Sequence, residues 1–221
     1  MKPLAVFDVD GTLVDSRATI FEAAQSAFRD LALPEPAYDE VRQIVGLTLH
    51  EALGLIAPDL PPPDLDRLVL RFQAAFQRFH AEPGFIEPLY DGAAELLDAL
   101  RSGGWKIAMA TGKSRRGVEN VIRMHGWADL FDSTHCSDDG PGKPHPAMLE
   151  AAMAALSTPA GRTVMIGDTA HDIAMAKAAG ARAQGVAWGF HTVDEIAAAG
   201  ADHVAGTFAE LHAALDRFAA A

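Results

Sequence analysis

Short apolar runs that end in a polar residue recur along this chain, separated by intervals long enough to hold a helix. Three such runs, each with the residues that end it, are Leu4 to Phe7 with Asp8, Ile107 to Ala110 with Thr111, and Val164 to Ile166 with Gly167-Asp168. A run that is apolar at every position is typical of a parallel strand buried on both faces. The alternation of such strands with helices predicts a Rossmann-like α/β fold, in which helices cover both faces of a parallel sheet.

Weaker patterns predict the remaining elements of this sheet. Ala183 to Trp188 is predicted as another strand, and His203 to Val204 as an edge strand. The helices predicted around the sheet are Gly92 to Arg101, Ser114 to His125, Pro146 to Leu156, Asp172 to Ala179 and Ala209 to Ala220. The first of these is amphipathic, with Leu96, Leu97 and Leu100 on one face, which is typical of a helix packed on a sheet.

One interval interrupts the alternation of strands and helices. Between Ser16 and about His80 the pattern is helical throughout, and proline clusters separate the helical stretches. The stretches are Ala18 to Leu31, Tyr38 to Val45, Leu49 to Ile56 and Leu65 to His80. We therefore predict two domains: an α/β core of residues 1–15 and 84–221, to which the candidate catalytic residues described below belong, and a small all-helical cap of residues 16–83.

The overall charge restricts the partners of the chain. Its 221 residues include 18 basic and 30 acidic side chains, for a formal net charge of −12. A surface of this sign is unsuited to nucleic acid or to an anionic membrane, although a local positive pocket can still bind a small anion. Cys136 is the only cysteine, so we expect no intrachain disulfide, and no apolar run is long enough for a signal peptide or a membrane span. We expect a cytoplasmic protein, either a monomer or a homodimer.

Polar side chains from the ends of the predicted strands should meet at one rim of the sheet, where open parallel sheets bind their ligands. The residues placed there are Asp8, Asp10, Thr111, Asp168 and Asp172, and Lys143 lies in a loop between the second and third runs. Carboxylates this close repel one another unless a cation neutralises them, and oxygen ligands without Cys or His favour Mg²⁺. A lysine and a metal ion beside clustered aspartates form a site suited to a dianion such as phosphate. Asp172 alone could instead be an ordinary helix cap.

Four motifs, in order along the chain, carry a family resemblance. They are Asp8-Val9-Asp10-Gly11-Thr12-Leu13-Val14-Asp15, Thr111-Gly112, Lys143-Pro144-His145-Pro146 and Gly167-Asp168-Thr169-Ala170-His171-Asp172. Their order and spacing resemble the four motifs of the haloacid dehalogenase-like hydrolase superfamily, over nearly the whole chain. The helical insertion after the first motif resembles the small cap of the phosphoglycolate phosphatase-like branch.

The resemblance implies a catalytic role for four residues. Asp8 would be the nucleophile that becomes an aspartyl-phosphate, and Asp10 would be the general acid and base. Both can face one site only if the chain turns after the strand, which Gly11 permits. Thr111 and Lys143 would bind the oxygens of the transferring phosphoryl group.

The resemblance also implies a magnesium site and lesser phosphate contacts. Asp8, the backbone carbonyl of Asp10, and Asp168 would hold the ion. Asp172 is either a further residue of the metal site or a partner of Lys143, and the sequence leaves both open. The lesser phosphate contacts expected are Gly11, Thr12, Gly112 and Lys113, although Lys113 could equally be a solvated side chain beside the rim.

The predicted function is magnesium-dependent hydrolysis of small phosphorylated metabolites, such as a phosphoglycolate-like compound or a sugar phosphate. Two alternatives remain. A non-catalytic phosphate-binding regulatory module would keep the fold, but it would not need a nucleophile beside an acid. A hexose-phosphate mutase would keep Asp10, but the histidine and the basic cap residues expected of a mutase are replaced by Ile20, Val45 and Leu49. Because an uncharged cap lining discriminates weakly, we expect broad specificity.

Overall fold

The computed structural model describes residues 2–221, and within this range six parallel strands form a single sheet. The strands are β1 (Leu4–Phe7), β2 (Lys106–Thr111), β3 (Ser133–Cys136), β4 (Thr163–Gly167), β5 (Arg182–Val186) and β6 (His203–Ala205). Their order across the sheet is β3-β2-β1-β4-β5-β6. Phe7 of the central β1 lies beside Met109 on one side and Ile166 on the other. This architecture confirms the predicted Rossmann-like α/β fold, and it places β6 at an edge as expected.

Ten α-helices accompany the sheet over the same described range. They are α1 (Arg17–Asp30), α2 (Tyr38–Ile44), α3 (Leu49–Ile56), α4 (Pro62–Ala81), α5 (Ala93–Ser102), α6 (Arg115–His125), α7 (Ala147–Ala155), α8 (Ala170–Ala178), α9 (Val193–Ala198) and α10 (Phe208–Ala220). Short 3-10 turns lie at Ser137–Asp139 and Ala160–Arg162. None of these described helices combines the length and apolar character needed to cross a membrane.

Each face of the sheet is covered by its own apolar layer. All four residues of β1 are buried, and alternate side chains of a strand point to opposite faces. Phe7 belongs to the layer formed with α5 and α10, and Val6 belongs to the layer formed with α7 and α8. Burial on both faces explains why this strand is apolar throughout.

Two elements were missing from the sequence prediction. β3 reads Ser-Thr-His-Cys, and only Cys136 is fully buried, because the strand lies at an edge of the sheet. α9 begins after Thr192, whose hydroxyl accepts from the N–H of Glu195, while the Glu195 carboxylate accepts from the N–H of Thr192. This reciprocal capping box is a sequence signature that could have revealed the helix.

The helices α1 to α4 follow β1 as one all-helical insertion, as predicted. They enclose a small apolar cluster around Ala27, Phe28, Leu53 and Leu68, separate from the two layers on the sheet. The residue boundaries assigned above to cap and core stay predictions.

An ion pair connects this helical insertion to the carboxyl edge of the sheet. Arg42 of α2 donates to both carboxylate oxygens of Glu195 on α9, at 2.9 and 3.2 Å. The side chain of Gln43 donates to the same carboxylate at 2.9 Å, and Arg42 also donates to the backbone carbonyl of Phe190 at 3.4 Å. Hydrogen bonds from Arg42, with help from the N–H of Thr192, lower the pKa of Glu195 to about 2. The pair therefore stays charged at neutral pH and holds α2 over the loop after β5.

Candidate active site

The chain turns sharply after β1, at the first motif. The N–H of Leu13 donates to the carbonyl of Val9 at 2.9 Å, and Gly11 has a φ of +80°, a conformation that favours glycine. The turn brings Asp8 and Asp10 to the wall of one cavity of about 550 Å³, between the sheet and the helical insertion. The structure therefore contains the turn that a shared site for the two aspartates requires.

Lys143 lies between two buried carboxylates. Its Nζ is 2.9 Å from Asp8 Oδ1 and 2.6 Å from Asp172 Oδ1, and 0% of its side chain is exposed. The other oxygen of Asp172 accepts from the N–H and the hydroxyl of Thr169, at 3.1 and 2.7 Å. Asp172 is thus held by its own helix cap and in turn fixes the direction of the lysine.

Asp168 is fixed from two sides. Its Oδ1 accepts from the hydroxyl of Thr12 at 2.6 Å, and its Oδ2 accepts from the N–H of Phe190 at 2.8 Å. Any residue larger than glycine at position 11 would place its Cβ 2.2 Å from Asp168 Oδ2. Gly11 is therefore required both for the turn and for the close approach of this carboxylate.

Three carboxylates have the arrangement of a metal site. Asp8, Asp168 and Asp172 each offer one oxygen, these oxygens lie within 4.8 Å of one another, and all three residues are buried. Asp8 Oδ2 is buried and has no hydrogen-bond donor among residues 2–221. A buried carboxylate oxygen is costly unless a donor or a cation satisfies it. Since the cluster presents only oxygen ligands, its residues fit a hard divalent cation.

Burial dominates the electrostatics of this cluster. It raises the pKa of Asp8 to about 6, with Lys143 opposing the shift and Asp172 adding to it. Burial, followed by the charges of Asp172 and Asp8, raises the pKa of Asp168 well above its usual range. Burial also disfavours the charged form of Lys143, but Asp172 and Asp8 outweigh this effect and raise the pKa of the lysine. Lys143 therefore stays protonated, whereas full ionisation of the carboxyls calls for further positive charge.

Lys113 pairs with the remaining predicted aspartate. Its Nζ lies 2.8 Å from Asp10 Oδ1, and only 7% of its side chain is exposed. The alternative of a solvated lysine beside the rim is therefore wrong. The sequence around Lys113 did not indicate this burial, because its partner Asp10 lies far away along the chain.

Sequence analysis also missed two residues behind Lys113. Glu87 is 1% exposed, and its Oε2 lies 3.8 Å from Lys113 Nζ and 3.6 Å from His80 Nε2. Burial raises the pKa of Glu87 to about 7, with Lys113 opposing the shift. Glu87 lies outside the four motifs, and His80 ends a stretch that read simply as an amphipathic helix, so nothing in the sequence singled them out.

The residues predicted to contact phosphate differ in whether their hydrogen-bond donors already have partners in the protein. The N–H of Gly11 already donates to the carbonyl of Val14 at 2.9 Å, and the hydroxyl of Thr12 donates to Asp168, so these two donors have partners within the protein and their contact with phosphate stays a prediction. Both shape the turn and orient a carboxylate. Thr111 is buried and accepts from the N–H of Lys113 at 3.3 Å, which leaves its own hydroxyl hydrogen to donate.

Gly112 lines the cavity where the helical insertion comes closest to β2. A Cβ at this position would lie 2.9 Å from the backbone carbonyls of Gly46 and Leu47. The residue therefore permits the contact between the two parts of the molecule, and its amide remains at the cavity wall.

Comparison with known proteins matches residues 5–186, a range that contains all four motifs, to a family described as haloacid dehalogenase-like hydrolase. A probable phosphatase, IndB, from Dickeya dadantii is 39% identical over 216 residues, which cover 96% of this chain and 92% of that protein. A phosphoglycolate phosphatase from Vibrio parahaemolyticus is 31% identical over 217 residues, covering 94% and 93%. The crystal structure of CbbY from Rhodobacter sphaeroides in complex with phosphate has a TM-score of 0.83 at 27% identity, covering 98% of this chain and 100% of that one.

Replacing Lys143 tests the charge balance of the cluster. In metal-free protein at about pH 8, we expect Lys143→Met to lower the free energy of unfolding by about 3 kcal/mol or more, since two buried carboxylates lose their shared cation. The loss should shrink at about pH 5, because the pKa of Asp8 is raised to about 6, so that this carboxyl is largely protonated below that pH and needs the cation less. Urea unfolding in the presence of a chelator measures both values.

A matched control for this variant is Lys177→Met. Lys177 pairs with Asp202 at 2.6 Å, but 41% of its side chain is exposed. An exposed pair contributes less than about 1 kcal/mol, so the control should unfold almost as the native protein does. Similar small losses for both variants, at both pH values, would show that Lys143 does not balance the cluster.

Proposed function

The chain belongs to the haloacid dehalogenase-like hydrolase family, as its motifs predicted, and from this premise we propose that it is a magnesium-dependent phosphomonoesterase acting through an aspartyl-phosphate on Asp8. The observation that carries the proposal is the state of the Asp8 carboxylate. One of its oxygens faces Lys143 at 2.9 Å, and the other is buried without a donor among the described residues. A carboxylate held in this way at a cavity wall is oriented for attack on a bound electrophile.

The residues that would hold Mg²⁺ are Asp8, Asp168 and the backbone carbonyl of Asp10. The carboxylate of Asp10 is paired with Lys113, which supports a role for its carbonyl rather than its side chain at the metal. When bound, the ion supplies positive charge to the phosphoryl oxygens and to the crowded carboxylates. Asp172 is best assigned as the residue that positions Lys143, because it contacts that lysine at 2.6 Å.

The reaction then divides into two displacements at phosphorus. Asp8 attacks in line, and the ester oxygen leaves with the proton of the protonated Asp10 carboxyl, which is left as a carboxylate. In the second step Asp10 removes a proton from water, whose oxygen attacks the same phosphorus and releases the Asp8 carboxylate with inorganic phosphate. Lys143 and the hydroxyl of Thr111 stabilise the phosphoryl oxygens in both steps, where charge is held in the transition state.

The non-catalytic alternative is less well supported by this geometry. A binding module gains nothing from a nucleophile and an acid that face one cavity, since both carboxylates would repel the bound phosphate. The mutase alternative would require basic residues where Ile20, Val45 and Leu49 line the cavity. A small phosphorylated metabolite therefore remains the proposed substrate class, and a cytoplasmic monomer or homodimer stays a prediction.

Loss of the nucleophile tests the reaction class. We expect p-nitrophenyl phosphate to be hydrolysed only with Mg²⁺, and Asp8→Asn to lower kcat by about 10³ or more, because an amide cannot form the covalent intermediate. Release of p-nitrophenol measures the rate, with EDTA and restored Mg²⁺ as the metal control. Metal-independent turnover, or turnover that survives in Asp8→Asn, would contradict the proposal.

The leaving group tests the role of Asp10. p-Nitrophenolate leaves readily without a proton, whereas an alkoxide does not, so Asp10→Asn should slow hydrolysis of an alkyl phosphate at least about tenfold more than that of p-nitrophenyl phosphate. The comparison requires kcat/KM for both esters in both proteins, because this constant reports the first displacement, in which the leaving group departs, and not the second step that both esters share. Equal losses on the two esters would remove Asp10 from the general-acid role.

A further inference from the structure

The cavity beside Asp8 and Asp10 has two chemically different walls. Its volume of about 550 Å³ lies in the range of pockets that enclose small organic molecules. The wall from helices α1 to α4 is mainly apolar and includes Ile20, Val45, Leu49, Leu53, Phe72 and Phe76. The wall from α6 is polar and basic, formed by Arg116, Asn120 and Arg123. A ligand that fills this space must satisfy both surfaces.

Aromatic rings form the flattest part of the apolar wall. Phe72, Phe76 and His80 recur every four residues and so share one face of α4. The ring centroids of Phe72 and Phe76 are 6.1 Å apart with planes at 14°, and those of Phe76 and His80 are 4.7 Å apart. A row of rings at a cavity wall favours the burial of another ring against it.

The opposite wall offers hydrogen-bond donors along one face of α6. Arg123 donates to Asn120 Oδ1 at 2.8 Å, which leaves the amide group of Asn120 free to turn its N–H bonds toward the cavity. Arg116 lies one turn before Asn120, with an exposed side chain. Such donors suit carbonyl and hydroxyl oxygens at the edge of a ring.

We propose that the preferred substrates are phosphate monoesters of alcohols that carry a ring with polar substituents. The inference rests on the proposed function, which places the phosphate at Asp8 and the alcohol portion in the cavity. A short acid such as glycolate would leave the apolar wall uncovered, and that wall would then contribute nothing to binding. The preference should be moderate, because apolar surfaces discriminate between ligands only weakly.

Matched esters separate the ring from the reactivity of the leaving group. We expect kcat/KM for 2-phenylethyl phosphate to exceed that for ethyl phosphate and for phosphoglycolate by about tenfold or more. Phe72→Ala should remove most of this advantage, measured as the ratio of kcat/KM for the ring ester to kcat/KM for ethyl phosphate. Phe72→Leu keeps an apolar side chain and the fold, and it should remove part of the advantage. The control is Leu70→Ala on the same helix, where the native side chain is 63% exposed.

The outcomes distinguish failure of the proposed substrate class from failure of the proposed phosphatase activity. If phosphoglycolate or ethyl phosphate equals the ring ester, or if Leu70→Ala acts like Phe72→Ala, the substrate class is wrong even while Asp8→Asn abolishes turnover. If no ester is hydrolysed with Mg²⁺, the proposed function fails and the substrate class fails with it.

An independent observation concerns Glu87. Neither of its carboxylate oxygens has a hydrogen-bond partner among the residues that the structure describes, although the side chain is only 1% exposed. A buried carboxylate in this state costs stability. Its nearest cation is Lys113, which in turn lies 2.8 Å from Asp10 and faces the ring of Phe76 at 5.3 Å.

We infer that Glu87 is a positioning residue for Asp10 and acts through Lys113. The ammonium is held by two carboxylates and an aromatic face, and these three directions limit where it can donate. Because His80 of α4 lies 3.6 Å from Glu87, a movement of α4 would change the same contacts. Glu87 thereby couples the helical insertion to the orientation of the proposed acid.

The test again uses the leaving group. We expect Glu87→Gln to lower kcat/KM for ethyl phosphate about tenfold more than it lowers kcat/KM for p-nitrophenyl phosphate, because kcat/KM reports the first displacement and only the alkoxide needs a proton in that step. The control is Glu95→Gln, which removes the same charge from an exposed position on α5. Equal losses on both esters would indicate a merely structural role, and no loss on either would also overturn the inference. A thermal melt of each variant confirms that it is folded.

Discussion

The structure depends on the crowding of buried carboxylates at the carboxyl edge of the sheet. Asp8, Asp168 and Asp172 present oxygens within 4.8 Å of one another, and burial raises the pKa values of Asp8 and Asp168. Such an arrangement persists only if the rest of the fold holds each group in place and supplies opposite charge. Lys143 supplies one such positive charge from within the chain. The proposed divalent cation would supply the second, since the cluster offers only oxygen ligands.

Most of the local structure around the cluster serves this constraint. Thr12 and the N–H of Phe190 fix Asp168, and Thr169 fixes Asp172. Gly11 leaves room for Asp168 to approach the first motif. The parallel strands bring these segments together from distant parts of the chain, because β1 lies between β2 and β4. The fold thus turns four separated motifs into one site.

The sequence predicted the centre of the molecule better than its edges. β1 and β4 are buried on both faces, so their apolar composition was sufficient to identify them. β3 was not predicted because three of the four residues of this edge strand are only partly buried, and polar side chains are tolerated there. The family and the four motifs could be predicted because the residues of each motif are close together in sequence. Each motif ends a strand or precedes a helix.

The contacts that could not be predicted join residues far apart in the chain. Lys113 was predicted either as a phosphate contact or as a solvated side chain, and only the structure shows Asp10 and Glu87 beside it. Thr12 read as a phosphate contact because sequence carries no information on which acceptor its hydroxyl meets. The residues that line the cavity could not be predicted either, since the rings of α4 recur at the spacing of an ordinary packed helix. The sequence therefore predicted the groups proposed to react, and the structure added the groups that contact them.

Chemical trapping of the phosphorylated carboxylate tests the central claim most directly. Borohydride reduces an acyl phosphate to an alcohol, so treatment during turnover should convert Asp8 to homoserine, detectable by mass spectrometry of the N-terminal peptide. The account predicts this conversion only when a phosphate ester and Mg²⁺ are both present, with Asp10 and Asp168 unmodified. Continued turnover with Asp8 intact, or modification of a different aspartate, would contradict it.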